Sequence, residues 1–263
     1  MGQVMGGNRL RSRLLVGVAA AQGAFGLDDT VTSILGAGWS NGTPDEEAPI
    51  TVRHLLTMTS GLDESLKRVA APGAQWLYNT DAYHRLELVL QARVGKSLAD
   101  LTRAFVFDPI GAGASGWTQR ALQKDAKGVP MSALEMTARD MARVGLLVMA
   151  DGRWNGKDVV PSAYLASALA PSQSLNASYG LLWWLNGQSS ALMPPSTPVA
   201  GPLMPSAPAD VVAALGANDQ KIYVSRSQKL VVTRQGPRAG ESAQARSGWD
   251  DQLWQHVMAA KVR

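Results

Sequence analysis

Three short β-branched runs, Val211 to Leu215, Lys221 to Val224 and Leu230 to Thr233, follow one another near the end of the chain with only polar turns between them. Runs of that length and spacing read as successive antiparallel strands, because a tight turn returns the chain beside itself whereas a parallel pair needs a long crossover. Before them the apolar residues recur at helical spacing. Thr51 caps a pattern carrying Val52, Leu55 and Leu56, and from Ala82 the residues Tyr83, Leu86, Leu90 and Val94 line one stripe up to Gly95. After them Leu253, Trp254, Val257 and Met258 form the apolar face of a closing helix. Helices first, then strands, then a helix predicts an α+β domain with an antiparallel sheet rather than a doubly wound one.

Other stretches fill in this outline. Ser97 to Asp100 and Ser132 to Glu135 both have capping-box spacing, the second predicting a long helix whose face carries Leu134, Ala138, Met141, Gly145 and Val148. Tyr179 to Leu185, with its paired tryptophans, reads as a strand. Between Gln188 and Asp210 stand six prolines, which predict an irregular, extended surface excursion, or a flap over a cleft. Gly111 to Gly116 fits G-x-G-x-x-G, but Pro109 and Trp117 flank it and no βαβ units surround it, so it reads as a turn.

Composition removes several functions. There is no cysteine, which excludes disulfides, thiolate metal sites and a thiol nucleophile, and leaves the compartment open between periplasmic or secreted and cytoplasmic. His54, His84 and His256 have no ligand spacing, so no metal and no cofactor is expected. The net charge of +4 is spread without a basic run, which argues against nucleic acid as a partner. Arg9, Arg11 and Arg13 before the apolar run Leu14 to Ala21 read either as a short signal peptide or as a buried helix ending near Gln22-Gly23. That run is too short to span a bilayer, and no transmembrane segment follows it.

The stretch with most chemistry is Pro72 to Tyr83, P-G-A-Q-W-L-Y-N-T-D-A-Y. After the Pro72-Gly73 turn, Tyr78, Asn79 and Thr80 place a phenol, an amide and a hydroxyl side by side at a helix start. A tyrosine held among hydrogen-bond donors can act as a general base. The same residues also read as a packed Tyr followed by a capping Thr.

Several blocks together resemble one family. I-T-V-R-H-L-L-T-M-T-S-G-L from Ile50 to Leu62 looks like the helix-and-turn block of serine hydrolases related to class C β-lactamases and penicillin-binding proteins. Leu14-Leu15-Val16-Gly17 with Leu27-Asp28-Asp29 resembles the buried helix and turn that follow the nucleophile there. Thr137 to Arg143 is similar to a further helix, and Tyr179 to Trp184 and Gly216 to Gln220 to the late strand blocks. The likeness is greatest to the esterase and 6-aminohexanoate-dimer hydrolase branch.

The resemblance implies a single β-lactamase-like domain over 1–263. Its helical part would cover about 40–170, and its sheet part about 171–263 plus a helix over 8–23, with the proline-rich excursion at 188–210. It implies acyl transfer through a serine ester on a small ester or amide substrate, built from S-x-x-K, Y-x-N and a third motif on a strand. Tyr78 matches the motif tyrosine and is the expected catalytic residue; Asn79 and Thr80 form a Y-N-T variant. Asn218, Asp219 and Gln220 stand at the third motif without its lysine, histidine or paired glycines, which disfavours penicillin-like substrates. These five are the expected substrate-binding residues.

The first motif is missing. Counting back from Leu14 puts Gly6 at the serine and Arg9 at the lysine, or Val4 and Gly7 in a shifted register, and no lysine in the chain has a serine three residues before it. A guanidinium stays protonated and cannot serve as a base. Ser12, Ser60 and Ser115 are the substitute nucleophiles to consider. The strands that precede the nucleophile helix in the family are also expected to be absent, which predicts an exposed sheet edge prone to self-association.

Overall fold

The structure is a computed structural model that describes residues 3–4, 7–239 and 248–261, with the side chains of 3–4, 7–13, 119–122, 217 and 261 left aside. Its first half runs through β1 (Gln3–Val4), α1 (Gly7–Ala21), α2 (Val31–Leu35), α3 (Pro44–Glu47), α4 (Val52–Leu56), α5 (Thr80–Val94), α6 (Leu98–Thr102) and α7 (Asp108–Ile110). Then follow β2 (Gly116–Lys124), β3 (Pro130–Glu135), α8 (Ala138–Met149), β4 (Arg153–Trp154), β5 (Lys157–Asp158) and α9 (Ser162–Ala168). The last part holds β6 (Trp184–Leu185), β7 (Ser190–Met193), β8 (Thr197–Ala200), β9 (Val212–Leu215), β10 (Lys221–Ser225), β11 (Leu230–Arg234) and α10 (Trp249–Lys261).

The main sheet is antiparallel throughout, in the order β11-β10-β9-β6. All of β10 is buried, and its alternation decides what covers each face. Ile222 and Val224 point one way, toward α8. There a Cβ on Gly145 would lie 2.4 Å from Val231 Cγ1 and 3.2 Å from Ile222 Cγ2, so the missing side chain lets helix and sheet approach closely. Lys221 and Tyr223 point the other way, toward α10, where Tyr223 meets the edge of Trp254 at 5.7 Å. Helices thus cover both faces of the sheet, as an α+β domain with a sheet flanked by helices requires.

Buried Ala82, Tyr83, Leu86, Val89 and Leu90 make α5 the central helix of the helical part, wrapped by α1, α2, α4 and α6. The Leu14 to Ala21 run lies in α1, with Leu14, Leu15 and Val16 in the core. Gly17 faces α9, where an added Cβ would sit 2.2 Å from the ring of Tyr164.

Four expectations are corrected. Ser132 does not open a helix: it lies in β3, where Trp117 pairs with Leu134, and the cap of α8 is Thr137, whose hydroxyl accepts from the Asp140 N–H at 3.1 Å. Serine-x-x-glutamate spacing is satisfied by chance along a strand as readily as at a helix start. The region 116–135 is accordingly a β-hairpin joined by β1 in a three-stranded sheet. Of Tyr179 to Leu185 only Trp184–Leu185 is strand; Leu182 sits at φ 62, and Gly180 packs so close to the Ala168 carbonyl that a Cβ would lie 2.1 Å from it.

The proline-rich excursion is not irregular either. β7 and β8 pair as a hairpin, Ser190 to Ala200 through Met193 to Thr197, with Pro194 and Pro195 in the connecting turn. Pro198 falls on a two-stranded ribbon, where a strand needs only one edge for bonding and a missing N–H is tolerated. Beyond it Leu203 and Met204 are buried, held by the Asn186 amide, which donates to the Met204 carbonyl at 3.0 Å and accepts from the Met204 N–H at 2.9 Å.

Candidate active site

The segment 76–79 is threaded between three other pieces of chain. The Leu77 N–H donates to the Met58 carbonyl at 2.9 Å, and the Tyr78 N–H to the Pro195 carbonyl at 2.9 Å, in the turn of the β7–β8 hairpin. Ser196 Oγ donates to the Trp76 carbonyl at 2.9 Å. The proline-rich segment therefore lies against the tyrosine, which favours the flap over the free excursion. Trp76, Tyr78, Tyr179 and Trp184 form one aromatic cluster: Tyr78 stacks on Trp184 at 6.2 Å and 21°, and Tyr179 meets Trp184 edge-on at 4.9 Å. Tyr78 is 9% exposed, so its ring belongs to the interior and not to bulk solvent.

Asn79, not Thr80, caps α5. Its Oδ1 accepts from the Ala82 N–H at 3.0 Å while its Nδ2 donates to the carbonyls of Leu62 at 2.8 Å and Asp63 at 2.6 Å. Both amide protons and the carbonyl oxygen are thus engaged in a buried position, so Asn79 fixes the chain beside Tyr78. Thr80 is the first helical residue and half-buried. Asparagine and threonine both cap well, so spacing alone does not choose between these neighbours.

Asn218, Asp219 and Gln220 form the tight connection from β9 to β10. Asn218 and Asp219 have φ 54 and 58, a left-handed pair that asparagine and aspartate tolerate better than other side chains. Asp219 is completely buried: Oδ1 lies 3.2 Å from Lys221 Nζ, and Oδ2 accepts from the Ala239 N–H at 2.8 Å. Gln220 reaches the next turn, its Nε2 donating to the Gly236 carbonyl at 2.5 Å and its Oε1 accepting from the Gly236 N–H at 3.2 Å. Arg234 donates to the carbonyls of Asn218, Asp219, Gly236 and Pro237, and its guanidinium lies over the Trp249 ring. Asp219 and Gln220 hold this turn together; Asn218 is the half-exposed one of the three.

Trp184, on which Tyr78 stacks, pairs with Ala213 in β9, and the turn begins three residues on at Gly216, about 10 Å along a strand. At the front, Val4 pairs with Leu134 and Gly7 begins α1. Gly6 lies outside the described residues, as do the side chains of Arg9 and Ser12.

The other serines are committed elsewhere. Ser60 Oγ accepts from the Leu62 N–H at 3.3 Å; Ser115 Oγ donates to Asp140 Oδ2 at 2.7 Å, and Asp140 also pairs with Arg143. Gly111 to Gly116 leads from α7 into β2, the reverse of the strand-to-helix turn a dinucleotide needs. Among the described residues no group of three or more His, Asp or Glu could hold a metal, and no helix is long and apolar enough to cross a membrane.

Two buried ionic clusters escaped the sequence reading. Lys221 Nζ lies between Asp219 and Asp250, 3.1 Å from Asp250 Oδ1, and the Tyr223 hydroxyl donates to the same Asp250 oxygen at 2.5 Å. Burial, then the Asp250 charge, pushes the Tyr223 phenol well above its ordinary pKa, so it stays a donor. The second cluster, around His84, shows one local signal, the His84-x-x-Glu87 spacing on α5; its partner Asp125 is remote in sequence.

The β-lactamase family model matches residues 14–244. The chain belongs to this family of serine hydrolases. The match opens inside α1 and so leaves out Gly6 and Arg9, while covering Tyr78 and the 218–220 turn. A protein of Alkalihalophilus pseudofirmus without assigned function is 25% identical over 65% of this chain and 56% of its own length, so the alignment spans a little over half of that relative. Among solved structures, a proposed β-lactamase of Bacteroides dorei aligns at TM-score 0.72 and 15% identity, over 99% of this chain and 86% of that one. A proposed 6-aminohexanoate-dimer hydrolase of Bacillus anthracis aligns at TM-score 0.71 and 17% identity, over 99% and 71%. EstCE1, a hydrolase with promiscuous acyltransferase activity, aligns at 0.68 and 15%, over 97% and 84%. At these identities the structures establish the β-lactamase fold, in agreement with the expected antiparallel sheet and helical part.

Proposed function

We propose that this chain keeps the ester- and amide-binding cleft of a β-lactamase-related serine hydrolase and has lost its acyl-enzyme catalysis. The observation that carries the reading is the contrast between the two ends of the site. Tyr78 is seated by Asn79, Met58 and the β7–β8 hairpin and stacks on Trp184 of the main sheet. The segment leading into α1 offers glycine or valine where the attacking hydroxyl belongs, and arginine or glycine where the lysine belongs. Without a nucleophile, a cleft of this kind binds its ligand and releases it unchanged. Tyr78 would then hydrogen-bond the ligand, with the half-exposed Thr80 and Asn218 as further polar groups for it.

The ligand class is a small ester, amide, peptide or cell-wall fragment. Lys221 is buried and paired with Asp219, so this lysine is not offered to a carboxylate-bearing β-lactam. Tryptophan fluorescence tests this, since Trp76 and Trp184 flank Tyr78. Titration with a short p-nitrophenyl-free ester or a linear amide dimer should quench or shift the emission saturably, and the shift should disappear in Tyr78→Ala. An unchanged spectrum with every ester and amide tried would overturn the binding reading.

The edge of the sheet supports the expected self-association. β11 is terminal in the order β11-β10-β9-β6, and its five residues are all half-buried. We propose that a second copy pairs along this edge. Sedimentation should show dimer growing with concentration; a single monomeric species at high concentration would exclude it.

A further inference from the structure

One cluster of charged side chains plays no part in the proposed site. His84, Arg85 and Glu87 on α5 meet Asp125 in the β2–β3 turn, with exposures of 2, 1, 2 and 6%. His84 Nδ1 lies 2.8 Å from Asp125 Oδ2, and Nε2 lies 3.3 Å from Glu87 Oε2. A neutral imidazole has one N–H and could serve only one of these carboxylates, presenting a lone pair to the other. Both contacts are favourable only for the imidazolium. Charge balance agrees: Arg85 pairs with the same Asp125 oxygen, so two cations face two carboxylates when His84 is protonated and one cation faces two when it is not. Glu87 depends on His84 most, because among the described residues its Oε1 has no hydrogen-bond partner.

We propose that His84 is a pH-operated latch which, when protonated, ties α5 to the 125–129 turn. His84 shares the hold on this turn with Arg85, which pairs with the same carboxylate, and with the bonds made by Ala126. Asp125 Oδ1 accepts from the N–H groups of Lys127 at 2.9 Å and Val129 at 3.0 Å, so the carboxylate that His84 grips also shapes the turn. Ala126 is tied to Asp81 and Asn41. Among the described residues, the other elements around α5 add no competing charge at the His84 ring. The described side chains of α1, from Leu14 on, and those of α2 are uncharged. On α4, Arg53 pairs with Asp28 and His54 closes the Thr51 cap; on α6, Asp100 bonds Ser97. Burial alone would push His84 down, but Glu87 and Asp125 outweigh it and hold the imidazole above its ordinary 6.5.

The latch is separate from catalysis and is tested without substrate. Imidazole ¹⁵N spectra of the wild type at about pH 6 should show both nitrogens of His84 protonated. On raising the pH through its transition, the protection of the Lys127 and Val129 amides relative to their intrinsic exchange rates should fall, and so should the melting temperature. His84→Gln should abolish that fall, leaving the melting profile flat across the same range. A neutral His84 tautomer at about pH 6 would overturn the proposal, and so would a melting profile that His84→Gln leaves unchanged. Should His84→Gln fail to fold, the wild-type spectra and amide exchange decide the matter alone.

Discussion

The ring of Tyr78 stacks on the indole of Trp184, with centroids 6.2 Å apart and planes 21° from parallel. Tyr78 leads into the central helix of the helical part, and Trp184 is in β6 at the edge of the sheet. The pair therefore joins the helical part of the domain to the sheet. What surrounds the phenol is rigid and internal: an asparagine with all its bonds used, and a hairpin turn bonded to the backbone on either side.

Asn79→Ala should cost about 2–4 kcal/mol, because it removes a helix cap and leaves the carbonyls of Leu62 and Asp63 without the amide that meets them. Urea unfolding measures this. A residue reserved for substrate would cost binding and leave stability unchanged, so a loss under 1 kcal/mol, roughly the worth of one exposed bond, would contradict the positioning role.

Lys221→Met should destabilise by about 3–5 kcal/mol, since it strands Asp219 and Asp250 as buried carboxylates without their cation. Adding Asp219→Asn and Asp250→Asn to the same chain should recover most of the loss. If the triple variant is no more stable than the single one, the cluster is not held together by charge.

Acid should loosen the fold through Asp125. Burial raises its carboxyl pKa, but the bonds from His84 and the Arg85 charge outweigh that and hold it below the usual 3.8. A depressed carboxylate contributes stability that is present above 3.8 and lost as pH falls through the lower folded value. His84 works in the opposite sense, its contribution being full below 6.5 and lost as pH rises through the raised folded value. The cluster as a whole thus contributes most between 3.8 and 6.5. Thermal melts of Asp125→Asn should show a flatter acid limb than the wild type, and an unchanged limb would remove Asp125 from the account.

How much of this was legible in the sequence follows from how local each signal is. β9, β10 and β11 stand within a residue of their β-branched runs, and Thr51 and Ser97 cap the helices they were expected to cap. In each case the deciding contacts lie a few residues away. Tyr78 stood out because a turn, an apolar pair and a helix start frame it. Ser132 misled because its spacing to Glu135 carries no information about the backbone between them. Six prolines suggested irregular chain, yet two fall in a hairpin turn and one on its free edge, where a missing N–H costs nothing. The ionic clusters were illegible for a different reason: Lys221 with Asp250 and His84 with Asp125 are brought together only by the packing of distant elements.

The central claim, a cleft retained without its nucleophile, is tested most directly by intact mass measurement after incubation with a fluorophosphonate. The expected result is an unmodified chain at every probe concentration that labels an active serine hydrolase completely. A single phosphonyl adduct on one serine, suppressed in Tyr78→Phe, would contradict it and show that a hydroxyl in this chain has taken over the attack.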